Sequence, residues 1–394
     1  MKTRAQVALL LLGIKDLRGG GGIERYFADV FEQYRGRTTA FDLALVTDVQ
    51  SLSQLQGVGR LRSVEGVILC QAARNLMGLW RQTRCLNRLA RSGQFDLCHI
   101  VLVTPWYVPF VWLRRWWQRG GRPRLCLNVG DCTIAHSWFD ARLRRDRPNR
   151  KAYWLYRLFL QTARFDAVFT WYQLFRDRFV GRLSGTSRIV SARYCCVDTE
   201  RFRPAPVKKN WVVYAGRLVP QKQPLLFVEM VHEALVVAPE RCTGWRFLMF
   251  GKGPMEADVR TAIERYRLAD KIELSHSGSL NGLFAESKVF VSTQDFENFS
   301  SLAMLEAMAA GNAVIARDVG QTRWFVRHRE NGYLAAEDTP RGLANALLRY
   351  LAEPEQHARF AECSRRITIA EHCMENVLHE LEEFWMAALG EQPA

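Results

Sequence analysis

Lys288-Val-Phe-Val-Ser292-Thr-Gln-Asp-Phe-Glu-Asn-Phe-Ser-Ser-Leu-Ala-Met-Leu-Glu-Ala-Met-Ala-Ala-Gly311 reads as a strand, a polar loop and a short helix in direct succession. The strand ends near Ser292. Ser300 or Ser301 offers an N-cap oxygen, and Gly311 suits the left-handed position just past a helix end. The unpaired amides of Phe299, Ser300, Ser301 and Leu302 are then positively polarised and ready for a diphosphate. Glu306 lies about 7–8 Å further along the axis, and helical side chains lean back toward the N-terminus. That separation suits a ribose, with the carboxylate accepting its hydroxyl hydrogens. Taken alone, a capped amphipathic helix with a solvated Glu306 explains the segment equally well.

Working outward, the same strand–helix rhythm fills the chain. Val7–Leu12, Phe41–Val46, Leu97–Val103, Arg124–Val129, Ala167–Trp171 and Ser187–Ser191 read as strands. The second half restarts with Trp211–Ala215, Arg246–Phe250, Lys271–Ser275, Lys288–Ser292 and Ala313–Ala316. Alternation of this kind implies parallel sheets with crossover helices. Asp198 to Asn210 carries two prolines and many charges, so the interdomain linker is expected there. The expected division is 1–205, 206–373 and a terminal segment 374–394. In that segment Val377, Leu378, Leu381, Phe384 and Trp385 form the apolar face of a helix that packs back on the first domain.

The 394 residues are 48% hydrophobic and 11% aromatic, which describes a globular chain able to bury two α/β domains. The apolar run from Val7 to Gly13 is too short to span a bilayer and lacks a small-residue cleavage site. A cytoplasmic location is therefore expected. Ten cysteines show neither CxxC pairs nor metal-ligand spacing, so reduced core thiols are expected, including adjacent Cys195 and Cys196.

Charge is unevenly placed. Residues 1–200 hold 32 Lys+Arg against 15 Asp+Glu, and the rest hold 23 against 25. An anionic partner for the first half follows: nucleic acid, anionic lipid or a phosphorylated acceptor. No helix-turn-helix, RNP or zinc pattern favours nucleic acid. Pro109 to Arg119 sets Trp112, Trp116 and Trp117 beside Arg114, Arg115 and Arg119, and Ala141–Arg147 with Arg150, Lys151, Tyr153 and Trp154 repeats the mixture. Such segments suit a membrane interface, and equally an ordinary crossover helix with a wet arginine face.

Two other turns carry chemistry. Strand Trp211–Ala215 runs into Gly216-Arg217-Leu-Val-Pro-Gln-Lys222. The glycine admits close approach, and two cations can converge on a departing diphosphate, stabilising charge that grows in the transition state. Near the start, Arg18-Gly-Gly-Gly-Gly22-Ile-Glu24 lets the backbone pass beneath a diphosphate with its amides exposed. It matches neither GxGxxG nor the GxxxxGK[ST] loop.

Together these segments resemble the retaining glycosyltransferase family 4, whose fold is GT-B: two Rossmann-like doubly wound domains facing across a cleft. The likeness covers nearly the whole chain. It includes Gly251-Lys-Gly-Pro254, Gly278, Glu306-Ala-Met-Ala-Ala-Gly311, Val197-Asp198 to Pro204, and Asn331-Gly332-Tyr333-Leu334. The resemblance implies Arg217 and Lys222 as the diphosphate clamp, Glu306 as the ribose ligand, and Gly21 and Gly22 as an opposing phosphate loop, with Gly216 beneath the clamp. The family's first glutamate stands eight residues before its second. Here Asn298 holds that place and Glu297 precedes it. Either fills the role; Glu297 is favoured, with Phe299, Ser300, Ser301 and Leu302 supplying amides. Where the family often has His-Gly or His-Asp, this chain has Gly130-Asp131, which makes Asp131 or nearby His136 a candidate contact to the transferred sugar. His99 reads as packing at its strand. Asp295-Phe-Glu297 mimics a metal-binding Asp-x-Asp, but with two cations and a helix end available no metal or other cofactor is expected. The expected co-substrate is a UDP- or GDP-linked hexose. The implied activity is retaining hexosyl transfer to a glycolipid or envelope-polysaccharide precursor, at the inner face of the membrane. A nucleotide-sugar epimerase of the same architecture needs clustered acid–base groups, which eight scattered histidines do not supply. A noncatalytic anion-binding protein is the remaining alternative.

Overall fold

The computed structural model describes residues 4–14, 22–35, 37, 39–57, 59, 61–101, 107–114, 118, 121–130, 158–160, 162–179, 188–193, 195–276, 280–298 and 301–391. The chain divides into two compact units: residues 1–193 with 377–394, and residues 194–376.

The first unit is built on seven parallel strands, β1 (Ala5–Leu11), β2 (Phe41–Thr47), β3 (Val67–Leu69), β4 (Leu97–Ile100), β5 (Arg124–Val129), β6 (Ala167–Thr170) and β7 (Arg188–Ser191), in the order β3-β2-β1-β4-β5-β6-β7. β1 lies between β2 and β4, registering Val7 with Leu43 and Leu97. Helices cover both faces of such a sheet, which is why its strands are continuously apolar rather than alternating. The helices used below are α1 (Gly22–Tyr34), α2 (Val49–Gly57), α3 (Leu76–Arg91), α4 (Val108–Trp112) and α5 (Gln173–Phe179).

Asp48 fixes the exit from β1. One carboxylate oxygen accepts from the amides of Gln50 and Ser51, capping α2, while the other accepts from Gly13 N at 2.9 Å. Gly13 there has φ +82, a conformation that favours glycine. The backbone leaving β1 is thus anchored through Ile14, whose amide donates to Ser51 Oγ at 2.9 Å.

The second unit has six parallel strands, β8 (Lys209–Ala215), β9 (Arg246–Phe250), β10 (Ile272–Ser275), β11 (Ser287–Ser292), β12 (Ala313–Ala316) and β13 (Gly332–Leu334), ordered β10-β9-β8-β11-β12-β13. Its helices are α6 (Pro224–Val237), α7 (Glu256–Arg265), α8 (Leu280–Glu286), α9 (Leu302–Ala309), α10 (Pro340–Leu351) and α11 (His357–Glu371). α6 is apolar nearly all round and buries Leu226, Phe227, Val228, Met230, Val231 and Ala234. β3 and β13, three residues each, were not expected as strands.

α12 (Met374–Leu389) belongs to the first unit from Val377 onward. Val377, Leu378, Leu381, Phe384 and Trp385 are all buried. The Trp385 indole donates to His99 Nδ1 at 3.2 Å, and Tyr34 donates to Glu382 at 2.6 Å. His99 is enclosed by Phe27, Phe169, Phe384 and Trp385. Burial holds its pKa down at about 3, so it packs as a neutral ring.

The segment expected as a linker, 198–210, is part of the second unit. Phe202 is buried against Phe284, and Ala205 N donates to Ala285 O at 3.0 Å. Lys208 Nζ donates to Ser287 O at 2.6 Å, and Arg365 reaches the Phe202 and Ala309 carbonyls. The prolines and charges suggested an open tether, but one buried phenylalanine and backbone partners fasten the segment down. The division falls at residues 193 and 194 instead. Among the described residues no helix is long and apolar enough to cross a membrane, and no disulfide joins the nine described cysteines.

Candidate active site

In the second unit the loops following β8, β9, β11 and β12 leave the sheet at its carboxyl edge, where ligands of doubly wound sheets bind. These loops are fastened to one another.

The turn after β8 is held from two sides. Leu218 N donates to Lys252 O at 2.9 Å, and Met255 N donates to Leu218 O at 3.1 Å. This backbone-on-backbone contact explains Gly251 and Gly253. A Cβ on Gly251 would fall 1.9 Å from Gly216 O, and one on Gly253 would fall 2.3 Å from Leu218 O. Beneath the turn, the Tyr214 hydroxyl lies 3.3 Å from Arg217 O and 3.4 Å from Lys222 O, so it can donate to either end. Gln223 closes the turn at φ 46. Arg217 is exposed, and its guanidinium pairs with no carboxylate among the described residues.

The loop after β11 docks on the same turn. Thr293 Oγ1 donates to Lys222 O at 2.7 Å, and Asp295 N donates to Gln221 O at 3.2 Å. Lys222 Nζ donates to Gln294 Oε1 at 2.6 Å, which holds the ammonium beside the β11 loop. Arg317, directly after β12, supports this loop. Its guanidinium is bidentate on Asp338, reaches Asp295, and donates to Gln294 O at 3.1 Å. Burial alone would lower the Arg317 pKa; hydrogen bonds and charge from Asp338, then Asp295, outweigh it and raise the value. The Arg317 hydrogen bond in turn holds Asp338 below its ordinary range.

Glu297 and Asn298 are both buried, and differently used. Asn298 Oδ1 accepts from Ser292 Oγ at 2.5 Å, and Nδ2 donates to Thr322 Oγ1 at 2.7 Å. Both ends of its amide are engaged, so the side chain braces the loop. The Glu297 carboxylate accepts from Gln321 N at 2.8 Å. It lies so close to Gly320, at φ +53, that a Cβ there would come within 2.5 Å of Oε2. Ser301 caps α9 through its position, with no side-chain cap bond; its amide, expected to be unpaired, instead donates to Asn298 O at 3.1 Å. At the other end Gly311 N donates to Met308 O and Asn312 N to Ala307 O. This is the Schellman arrangement, and Gly311 takes its left-handed φ of +70. Glu306 is half-buried on α9, and Leu302 opens the helix.

The structure thus brings Gly216, Arg217, Lys222, Glu297, Asn298, Ser301 and Leu302 into one bonded set of loops and places Glu306 on the helix leaving it. Phe299 and Ser300 lie outside the described residues, as do Gly21, Asp131 and His136. Gly22 starts α1. Gly130 follows β5 where the Trp171 ring leaves no room, 2.3 Å from the place a Cβ would take. Sequence reasoning missed Tyr214, Gln294, Arg317 and Gln321. A signal for Arg317 exists: a cation directly after an apolar strand, three residues before a glycine. Among the described residues no three His, Cys, Asp or Glu side chains converge as a metal site.

Residues 209–353 match the family model Glycosyl transferases group 1. An exopolysaccharide phosphotransferase of Streptomyces coelicolor is 33% identical over 159 residues, 39% of this chain and 16% of the relative. The GDP-mannose:cellobiosyl-diphosphopolyprenol alpha-mannosyltransferase of Xanthomonas campestris is 32% identical over 130 residues, 31% of this chain and 33% of the relative. The matches therefore span a third or less of these relatives' lengths. Anabaena HepE in complex with UDP and glucose superposes with a TM-score of 0.71 at 15% identity, over 98% of this chain and 100% of that one. The fold is GT-B.

Proposed function

We propose that this protein is a retaining, metal-independent hexosyltransferase, using a UDP- or GDP-linked donor and acting on a lipid-linked glycan or envelope-polysaccharide precursor at the cytoplasmic face of a membrane. The observation that carries the reading is the tie between the Arg217–Lys222 turn and the β11 loop at the start of α9. Lys222 is held beside the β11 loop by hydrogen bonds before any ligand arrives, and Arg217 stands on the same turn, next to the start of α9. Preorganised charge of this kind is what a departing diphosphate requires. The names of the matched relatives supply the exopolysaccharide and polyprenol-linked context.

In this reading the diphosphate rests on the α9 amides and between Arg217 and Lys222, with Glu306 accepting from the ribose hydroxyls. The bond from the anomeric carbon to the diphosphate oxygen breaks as the acceptor hydroxyl oxygen bonds the same carbon from the same face. The hydroxyl proton passes to the departing diphosphate oxygen, whose remaining charge the two cations hold. Glu297 keeps the β11 loop against Gly320 and Gln321, so its part is to position amides. Two side-chain cations take the place a divalent metal fills elsewhere.

Lys222→Ala should lower turnover about 10²-fold or more, the scale for losing one preorganised charge stabiliser, measured with UDP- and GDP-hexoses and lipid extracts. Glu306→Ala should chiefly weaken donor binding by calorimetry, and activity should persist in EDTA. Full activity in an Arg217→Ala, Lys222→Ala double variant overturns the assignment.

A further inference from the structure

α3 is seated in the first unit by its own polar contacts. Asn75 caps it, accepting from Gly78 N at 2.8 Å, and buried Gln82 accepts from Ala73 N at 2.7 Å. Gly78, Gln82, Thr83, Leu86 and Ala90 face inward. The opposite face should then be polar throughout. At its start it is not: Leu76 is 82% exposed, Met77 60% and Trp80 57%. Because the cap and Gln82 fix the helix start, this exposure is built in rather than fraying. Arg81, Arg84 and Arg88 continue the outward stripe at three- and four-residue spacing and are exposed. None of them, nor exposed Arg74, pairs with a carboxylate among the described residues. No aspartate or glutamate occurs between Glu65 and Asp96. Arg84 lies over the Trp80 ring, 5.2 Å from its centre.

We propose that the outward face of α3, apolar at Leu76, Met77 and Trp80 and cationic at Arg81, Arg84 and Arg88, is the surface by which this protein sits on an anionic phospholipid membrane. Single exposed apolar residues are ordinary; three within five residues, continued by unpaired arginines, have the composition of an interfacial helix. The indole takes the headgroup level, the Leu and Met side chains enter the acyl boundary, and the guanidiniums meet lipid phosphates. Pairing with a second copy through this face would set arginines against arginines. A polyanion read by charge alone leaves the apolar end unexplained. Of the tryptophans and arginines first considered for this role, only Trp112 and Arg114 lie among the described residues. Arg114 is largely buried on Asp166 and the Arg164 carbonyl, Trp112 donates to Thr162, and Arg115, Trp116, Trp117 and Arg119 lie outside the described residues. The inference deepens the membrane part of the proposed function, and it uses none of the donor-site residues.

The test is flotation of the full chain with phosphatidylglycerol-containing and pure phosphatidylcholine vesicles, at low salt and at about 0.5 M. Wild type should float with the anionic vesicles at low salt and hardly with the neutral ones. Arg81→Gln with Arg84→Gln should lower the partition about 25-fold, since each interfacial cation contributes roughly fivefold. Met77→Ser with Trp80→Ser should leave only weak binding that 0.5 M salt abolishes. As a check that needs no loss of binding, brominated acyl chains should quench wild-type tryptophan emission more than that of Trp80→Phe. Three results overturn the proposal: no flotation of wild type at low salt, wild-type flotation by both double variants, or a dimer in sedimentation that Trp80→Ser dissociates. Donor calorimetry on the same preparations judges the transferase reading separately, since no donor is present in the flotation.

Discussion

Arg317 is 7% exposed, bidentate on Asp338 and within reach of the β11 loop carbonyls, whereas Arg84 stands in solvent over an indole with no acidic partner. The carboxyl edge of the second sheet and the outward face of α3 thus both gather cations, under opposite constraints. At the sheet edge, backbone contacts and the ion pairs of a buried guanidinium set the loops. Charge placed this way is directional, and removing it disturbs its neighbours. On α3 the guanidiniums are hydrated and bear no part of the fold, so they suit a partner that is broad and laterally mobile. Under the proposals above, one region meets a particular group of atoms and the other meets a surface.

The contrast breaks most visibly at Gly251. Gly251→Ala would drive a Cβ into the Gly216 carbonyl and should destabilise the second unit by about 4 kcal/mol or more, the range of severe core strain. Denaturant unfolding measures this, with donor binding falling in parallel. Gly282→Ala on α8 meets nothing within 4 Å and serves as the control, expected to be neutral or slightly stabilising. A Gly251→Ala protein of wild-type stability would mean that the turn is not held by that contact.

Acid should weaken both units, because each buries a neutral histidine. Burial lowers the pKa of His99 to about 3 in the first unit. In the second, burial and then Arg327 lower that of His372 to about 4. The unfolded chain titrates near 6.5 and binds the proton first, so stability is full above about pH 6.5. It declines as pH falls toward these folded values. Between pH 7 and 4.5 the loss should be about 2–3 kcal/mol per histidine. His99→Gln keeps an acceptor for Trp385 and cannot titrate, so it should flatten the slope of melting temperature against pH. An unchanged slope would remove His99 from the account. The smallest effect belongs to α3: Arg84→Gln should change stability by no more than about 0.5 kcal/mol, even as it weakens vesicle binding. A large loss of stability there would erase the distinction between the two regions.

Much of the fold was legible because its causes are local. Continuous apolar strands such as Val7–Leu12 and Trp211–Ala215, alternating with helical periods, specify parallel sheets. The apolar stripe from Val377 to Trp385 specifies a docked terminal helix. The edge strands β3 and β13 escaped because three residues carry too little pattern; their pairing comes from β2 and β12. Gly332 entered only as part of Asn331-Gly332-Tyr333-Leu334, yet a Cβ there would fall 1.9 Å from Val314 O, a constraint visible only once the neighbouring strand is in place. Within the site, Arg217 and Lys222 stood out as cations after a strand. Arg317 carries the same local signal, but its use, reaching Asp338 and the β11 loop over twenty positions away, does not show in it.

The sequence alone determined two parallel α/β sheets, the strand-to-helix turns on which the candidate site stands, and the basic bias of the first half, since periodicity, glycine placement and net charge are properties of the chain itself. Tertiary structure decided what the polar residues do. It turned Asn298 into a brace and set Glu297 against Gln321, fastened the segment after residue 198 to the second unit, buried Arg114, and left Met77, Trp80 and Arg84 facing out. The physical reason is that a side chain's role depends on which partners remain once the elements have packed, and packing joins residues far apart in sequence.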